Sequence, residues 1–223
     1  MNCPIIVLEG LDACGKSTQT ELLIKNLREK NFAVERKIFP GYEKTPAGAR
    51  IAAYLRGEFG GFEKIDPKII ASIYAADRLF QIDEIQNLRQ KNDILIFDRG
   101  VTSNLIYTPA HGENPAEIAD LQNFVEQLEY KIFGFPRESL VIFLDASEIA
   151  RQKIHAAKNR PADLHEIDEK YLQKVREIAL QICEKNFQWQ KIAVDFHGEL
   201  RPRAEIADEI LNLILEKLQK NKK

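Results

Sequence analysis

Strand-like runs recur along the chain at residues 5–8, 34–39, 94–97, 140–144 and 192–195. They are short, and the first (Ile5-Ile6-Val7-Leu8) is branched and apolar throughout, which suits a strand buried on both faces. Between the runs, apolar residues return at helical spacing. Leu23 and Leu27 share one face of a helix after the first run, a long helical pattern covers 67–91, and a further one lies around 116–128. Residues 203–220 close the chain with the stripe Ile206, Ile210, Leu213, Ile214 and Leu218. This alternation predicts βαβ units and an α/β fold in three layers, a five-stranded parallel sheet flanked by helices. No repeat, linker or low-complexity stretch interrupts it, so residues 1–223 read as a single domain.

Composition narrows the class without naming a chemistry. With 44% hydrophobic and 30% charged residues, the chain can bury one full core. A formal net charge of −2 gives no field that favours nucleic acid or a membrane surface. No apolar run approaches membrane length, and the opening MNCPIIVLEGLD leads straight into a turn, so no signal peptide is expected. Cys3, Cys14 and Cys183 are scattered and have no metal spacing. They read as free thiols in a reducing cytoplasm. His111, His155, His165 and His197 show no ligand spacing and read as surface residues, and Trp189 as a core cap.

The chemistry enters with EGLDACGKST after the first run. Gly10, Gly15, Lys16 and Ser17 fit G-x-x-x-x-G-K-[ST], between a strand and a helix as that motif requires. Glycines let phosphates approach backbone N–H groups, and the helix start adds its positive dipole end. Gly10, Leu11, Asp12, Ala13, Cys14, Gly15, Lys16, Ser17 and Thr18 thus form a candidate nucleotide-phosphate cradle. In it Lys16 is a mobile charge and Ser17 a hydroxyl for Mg²⁺. This makes the fold class P-loop NTPase-like. A thiol reagent on Cys14 could block it.

Ligands in such sheets gather at the carboxyl ends of the strands. After the second run comes FPGYEKTPAG, a turn in which Thr45-Pro46 reads as an N-cap with Pro at the first helical position. After the third comes FDRGVTSNLIYT. Its Asp98 can orient Mg²⁺ or its waters, and its Arg99 offers a fork of donors to a phosphate; a structural Asp–Arg pair is the plainer alternative. Tyr74 and Arg78, four apart, share a helix face and could stack a base and hold a polar group. Spacing alone favours the plainer reading, a core tyrosine and a surface arginine. After the fourth run, residues 150–167 carry Arg151, Lys153, Lys158 and Arg160 and read as a basic lid or as a solvated helix–turn–helix.

Taken together, VLEGLDACGKST, FPGY, YAADR and DRGVTSNLIYT, in this order and at these separations, resemble the thymidylate kinase family over nearly the whole chain. YLRGEFG and DLHEID are similar to its bacterial members. The resemblance implies a nucleoside monophosphate kinase that transfers a phosphoryl group from Mg-ATP to dTMP in the cytoplasm, acting as a homodimer through helices around 69–88 and 116–128. By matching position it implies catalytic roles for Asp12, Lys16, Arg99 and Arg160, with Arg151 on ATP. Phe39, Tyr42, Tyr74, Arg78, Arg99, Ser103, Asn104, Tyr107 and Thr108 would line the dTMP site, with Tyr107 disfavouring a ribose, and Ser17 and Asp98 would serve the metal.

Three positions depart from the family pattern: Ala13 and Gly41-Tyr42 stand where many members have arginine, and Gly100 where an aromatic or histidine is usual. Lys37, Lys44 or Arg50 could supply the charge missing after Phe39-Pro40, and Lys153, Lys158 or Arg160 that missing at Ala13. A kinase for another monophosphate or for a deoxynucleoside, and a nucleotide-binding protein without turnover, stand as alternatives.

Overall fold

The structure, a computed structural model, describes residues 3–60, 65–157 and 168–220. Its sheet has five parallel strands: β1 (Ile5–Glu9), β2 (Val34–Ile38), β3 (Ile94–Asp98), β4 (Leu140–Asp145) and β5 (Trp189–Ala193). They lie in the order β2-β3-β1-β4-β5. The central strand pairs Leu8 with Asp98 on one side and Glu9 with Phe143 on the other, so the ends of β1 and β3 come level. Successive side chains alternate between two cores. Ile5, Val7, Leu95, Phe97 and Val141 face one, and Ile6, Leu8, Ile96, Ile142 and Leu144 face the other. Burial on both faces is why these runs are continuously apolar.

Helices α1 (Lys16–Glu29), α2 (Pro46–Leu55), α3 (Pro67–Leu79), α4 (Ile82–Lys91), α5 (Val101–Tyr107), α6 (Pro115–Glu126), α7 (Glu148–Ala156), α8 (Glu169–Lys185) and α9 (Arg203–Lys220) surround the sheet. The α1 and α9 residues Leu23, Leu27, Ile206 and Ile210 pack on the Leu8 face. Val101, Ile106, Leu172 and Val175 of α5 and α8 pack on the Val7 face. Thr45 caps α2 as its sequence predicts, accepting from the Gly48 N–H.

Two predicted boundaries moved. The pattern at 67–91 is two helices, because Gln81 Nε2 donates to the Asp77 carbonyl at 3.1 Å while its backbone N–H turns to Arg78 O. The fifth strand starts at Trp189, since 192–195 overlaps a chain reversal in which Asp195–Phe196 (β6) pairs antiparallel with Glu199–Leu200 (β7). After α6 the chain continues into a π-helical segment, Gln127–Ile132, that no periodicity announced.

At the pole opposite the carboxyl ends of the strands, a cleft is lined by Gln122, Tyr130, Arg137, Glu138 and Trp189. Burial pushes the Glu138 carboxyl up to about 7. Its hydrogen bond from Tyr130 and nearby Arg137 oppose this, and Glu129 adds to it. The folded state therefore holds a proton that the unfolded chain releases above its ordinary value. Stability falls as pH rises from about 4.5 through about 7. Glu138→Gln is expected to remove most of that slope and to gain about 2–3 kcal/mol at pH 8 in urea melts. A parallel slope in the variant would refute this.

Candidate active site

The turn between β1 and α1 is built by backbone geometry. Gly10 and Gly15 take φ of 152° and 93°. A Cβ on Gly10 would lie 2.6 Å from Cys14 Sγ and 2.8 Å from Leu144 O, so only glycine fits. Ala13 also lies in the left-handed region, at φ 60°. Lys16 folds back across the loop and donates from Nζ to Gly10 O and Leu11 O, both at 2.9 Å. Ser17 is exposed and Thr18 half-buried in the first turn of α1, while Leu11 is buried in the core. Cys14 is buried and burial pushes its thiol up, which disfavours the thiolate that a reagent would need.

The end of β3 supplies two charges to opposite faces. Asp98 points to the face that carries α1 and pairs with Arg36 of β2. Arg99, at φ 66°, reaches the other face. It donates from Nη2 to Asp12 Oδ1 at 2.7 Å, and from Nη1 to Glu9 Oε1 and Ser103 Oγ, both at 3.2 Å. Its guanidinium lies 5.4 Å from the centre of the Tyr107 ring. Burial works against the charge of Arg99, but Asp12, Tyr107 and Glu9 outweigh it and raise its pKa.

Glu9, just ahead of the phosphate-loop motif and given no role from the sequence, is fully buried. It also accepts from Thr102 Oγ1 at 2.6 Å, Ser103 Oγ at 2.7 Å and the Gly10 N–H at 2.9 Å. Its signal was a lone carboxylate at a strand end level with Arg99.

Beyond Arg99 opens a cleft with about 640 Å³ of empty space, part of it open to solvent. Asp12, Arg99 and Ser103 sit at one end. Tyr42, Tyr74, Asn104, Tyr107 and Thr108 complete much of the wall. Asp77 pins the FPGY turn beside it, accepting from the Gly41 N–H at 2.9 Å and from the Thr45 hydroxyl. Two polar wall residues escaped the sequence reading, as did the apolar Pro40, Leu55, Pro67 and Ile70. Tyr171 of α8 donates from its hydroxyl to Tyr107 O at 2.8 Å, and its ring packs 4.9 Å from that of His111. His111 is therefore a half-buried wall residue and not a surface one; burial first, and Lys174 second, lower its pKa.

Other expected site residues lie elsewhere. Phe39 is in the core, edge-on to Phe97 and Phe135. Arg78 is buried in an ion pair with Glu129 behind the wall, because a guanidinium on that helix turn finds a carboxylate inside the protein. Arg151 pairs with Glu169 of α8. Lys153 donates to Gly198 O at 2.8 Å and Glu199 at 2.9 Å, tying α7 to the β6–β7 hairpin. Lys37 is buried against Glu84. Lys158, Arg160 and His165, within the lid expected at 150–167, lie outside the described residues.

A phosphate loop after the central strand of a parallel sheet, with an acidic strand end beside it, places the molecule in the P-loop class of nucleotide-binding folds. The sequence model of the family described as thymidylate kinase matches residues 8–199. A thymidylate kinase of Mycobacterium tuberculosis is 28% identical over 86% of this chain and 92% of its own. A probable thymidylate kinase of Methanosphaera stadtmanae is 28% identical over 96% of this chain and 98% of its own. The solved structure of thymidylate kinase from Candida albicans shares the fold with a TM-score of 0.71 at 23% identity, covering 99% of this chain and 93% of that one. The chain belongs to the thymidylate kinase family. Its relatives at similar identity include a bacterium and an archaeon, so the comparisons do not single out a bacterial type.

Proposed function

We propose that the protein transfers the γ-phosphoryl group of ATP to the phosphate of dTMP, giving ADP and dTDP. One observation carries this reading beyond the family. A single oxygen, Asp12 Oδ1, lies 4.0 Å from Lys16 Nζ on the phosphate-loop side and 2.7 Å from Arg99 Nη2 on the cleft side. Two cation-bearing compartments thus meet at one carboxylate, as a reaction between two phosphates requires.

In this reading an oxygen of the acceptor phosphate attacks the γ-phosphorus, and the bond to the bridging oxygen of ADP breaks. The acceptor is ionised at neutral pH, so the site needs positioning and charge rather than a strong base. Arg99 holds the acceptor, Lys16 the outer phosphates of ATP, and Asp12 keeps both cations in place. Tyr74 stacks the base, with Tyr42 beside it, Asn104 and Thr108 meet the base edge, and Tyr107 packs against the sugar. Ser17 and Asp98 would hold Mg²⁺, which when bound screens the ATP phosphates. The donors fit that ion: a hydroxyl and a carboxylate are hard oxygens, and so small a set suits a cation that keeps its waters and leans on phosphates.

Measuring ADP release from Mg-ATP with dTMP, dUMP, dCMP, dGMP and thymidine tests the assignment. A strong preference for dTMP is expected. Preference for thymidine or for another monophosphate would overturn the acceptor assignment while keeping the phosphate loop.

We also propose a homodimer through α3 and its neighbours, where Ile69 and Phe80 are 56% and 64% exposed. A monomer in sedimentation at micromolar concentration would refute it. Among the described residues no helix is long and apolar enough to cross a membrane, and action in the cytoplasm fits three free cysteines.

A further inference from the structure

The polar floor of the cleft is Asn104 and Thr108, and its hydrogen-bonding character is set from behind. Glu129 comes from the π-helical segment Gln127–Ile132, a local irregularity of the kind often found near functional sites. It is fully buried. Arg78 grips its carboxylate side-on, donating from Nε to Oε2 at 3.0 Å and from Nη2 to Oε1. Oε1 also accepts from Asn104 Nδ2 at 2.9 Å. The second hydrogen of that amide goes to Ala71 O at 3.0 Å.

Both amide hydrogens of Asn104 are therefore used, and its orientation is settled. A flipped amide would aim its oxygen at two acceptors. Asn104 Oδ1 in turn accepts from Thr108 Oγ1 at 2.8 Å, which uses the one hydroxyl hydrogen of Thr108. The two side chains are left with lone pairs and no hydrogen to offer a ligand.

We propose that Glu129 is a positioning residue that locks this floor as acceptor-only and so selects bases that bring an N–H to it. The inference rests on the dTMP reading above. Thymine and uracil carry a hydrogen on N3. Cytosine seated the same way would set its N3 lone pair against the lone pairs of the floor. A site whose buried polar groups lose their partner discriminates strongly.

Two double variants isolate the role, and equilibrium binding reads it without needing turnover. Replacing a buried ion pair by apolar residues of similar size is commonly neutral for stability. Arg78→Met with Glu129→Met removes the acceptor behind Asn104. Arg78→Met with Glu129→Gln keeps a carbonyl there. The Met/Met variant is expected to lose at least about tenfold of the dTMP-over-dCMP binding preference, and the Met/Gln variant to retain most of it. A purely structural Glu129 would move both variants alike. An unchanged preference in the Met/Met variant, or an equal loss in both, overturns the proposal.

The native protein supplies an arm that needs no variant to fold. N3-methyl-dTMP, which lacks the hydrogen, is expected to bind about 100-fold more weakly than dTMP, and equal binding overturns the acceptor-only floor. If native protein binds neither dTMP nor dUMP, it is the substrate assignment that fails, before Glu129 is in question.

Discussion

Replacing Arg99 by alanine is expected to lower kcat/KM for dTMP by about 10³-fold while KM for ATP barely moves. Arg99 is the cation that the structure sets at the cleft end of Asp12. It is held by Asp12 and Glu9, and is thus aimed before any acceptor arrives. A prearranged donor for charge in the transition state is worth about 2.7–4 kcal/mol in comparable sites. Arg99 offers a fork with more than one such donor. Arg99→Lys keeps the charge but loses the fork, and it should recover only part of the loss. Steady-state kinetics with dTMP varied at saturating Mg-ATP decides the matter. A drop under tenfold in the alanine variant would remove Arg99 from the acceptor site.

The second large effect concerns Glu9. Its carboxylate is out of contact with water and takes hydrogen bonds from Arg99, Thr102, Ser103 and the Gly10 N–H. Glu9→Leu leaves those donors facing a methyl group and takes one of two carboxylates from Arg99. Breaking a buried charged network of this kind costs about 3–5 kcal/mol. For a chain of this size that corresponds to a Tm lower by about 10 °C. Because Glu9 also sets the direction of Arg99, kcat with dTMP should fall together with stability, and Glu9→Gln should restore part of both. Thermal melts and kinetics on the two variants test this. A Glu9→Leu protein that melts like the native one would show that the network is dispensable.

Glu9 and Glu129 mark the limit of what could be read along the chain. Glu129 has no motif around it, and Glu9 stands just ahead of the phosphate-loop motif at a position the motif leaves unspecified. Glu9 matters because β1 and β3 pair with Leu8 level with Asp98, which carries Arg99 to it across 90 positions. Glu129 matters because a π turn rotates it inward to meet Arg78 and Asn104. Arg78 shows the same limit from the other side. Its spacing from Tyr74 offered a base-binding pair, yet a carboxylate 51 positions away takes it into the interior. Tyr171 and His111 likewise reach the cleft wall only through the packing of α8 beside α5.

What the residues themselves dictated is local or periodic. The phosphate loop was legible because its function needs backbone without side chains at fixed spacing, and Gly10 has no room for a Cβ. The three central strands were legible because burial on both faces demands continuous apolar runs, whereas the edge strands β2 and β5 are only partly buried and carry charged residues; the Thr45 cap was legible because capping acts within one turn. Pairings between distant charges have no such signature. Any buried carboxylate satisfies any buried guanidinium that the fold brings near, so the partners of Arg36, Arg78, Arg99 and Arg151 were decided only when strand register and helix packing set the distances.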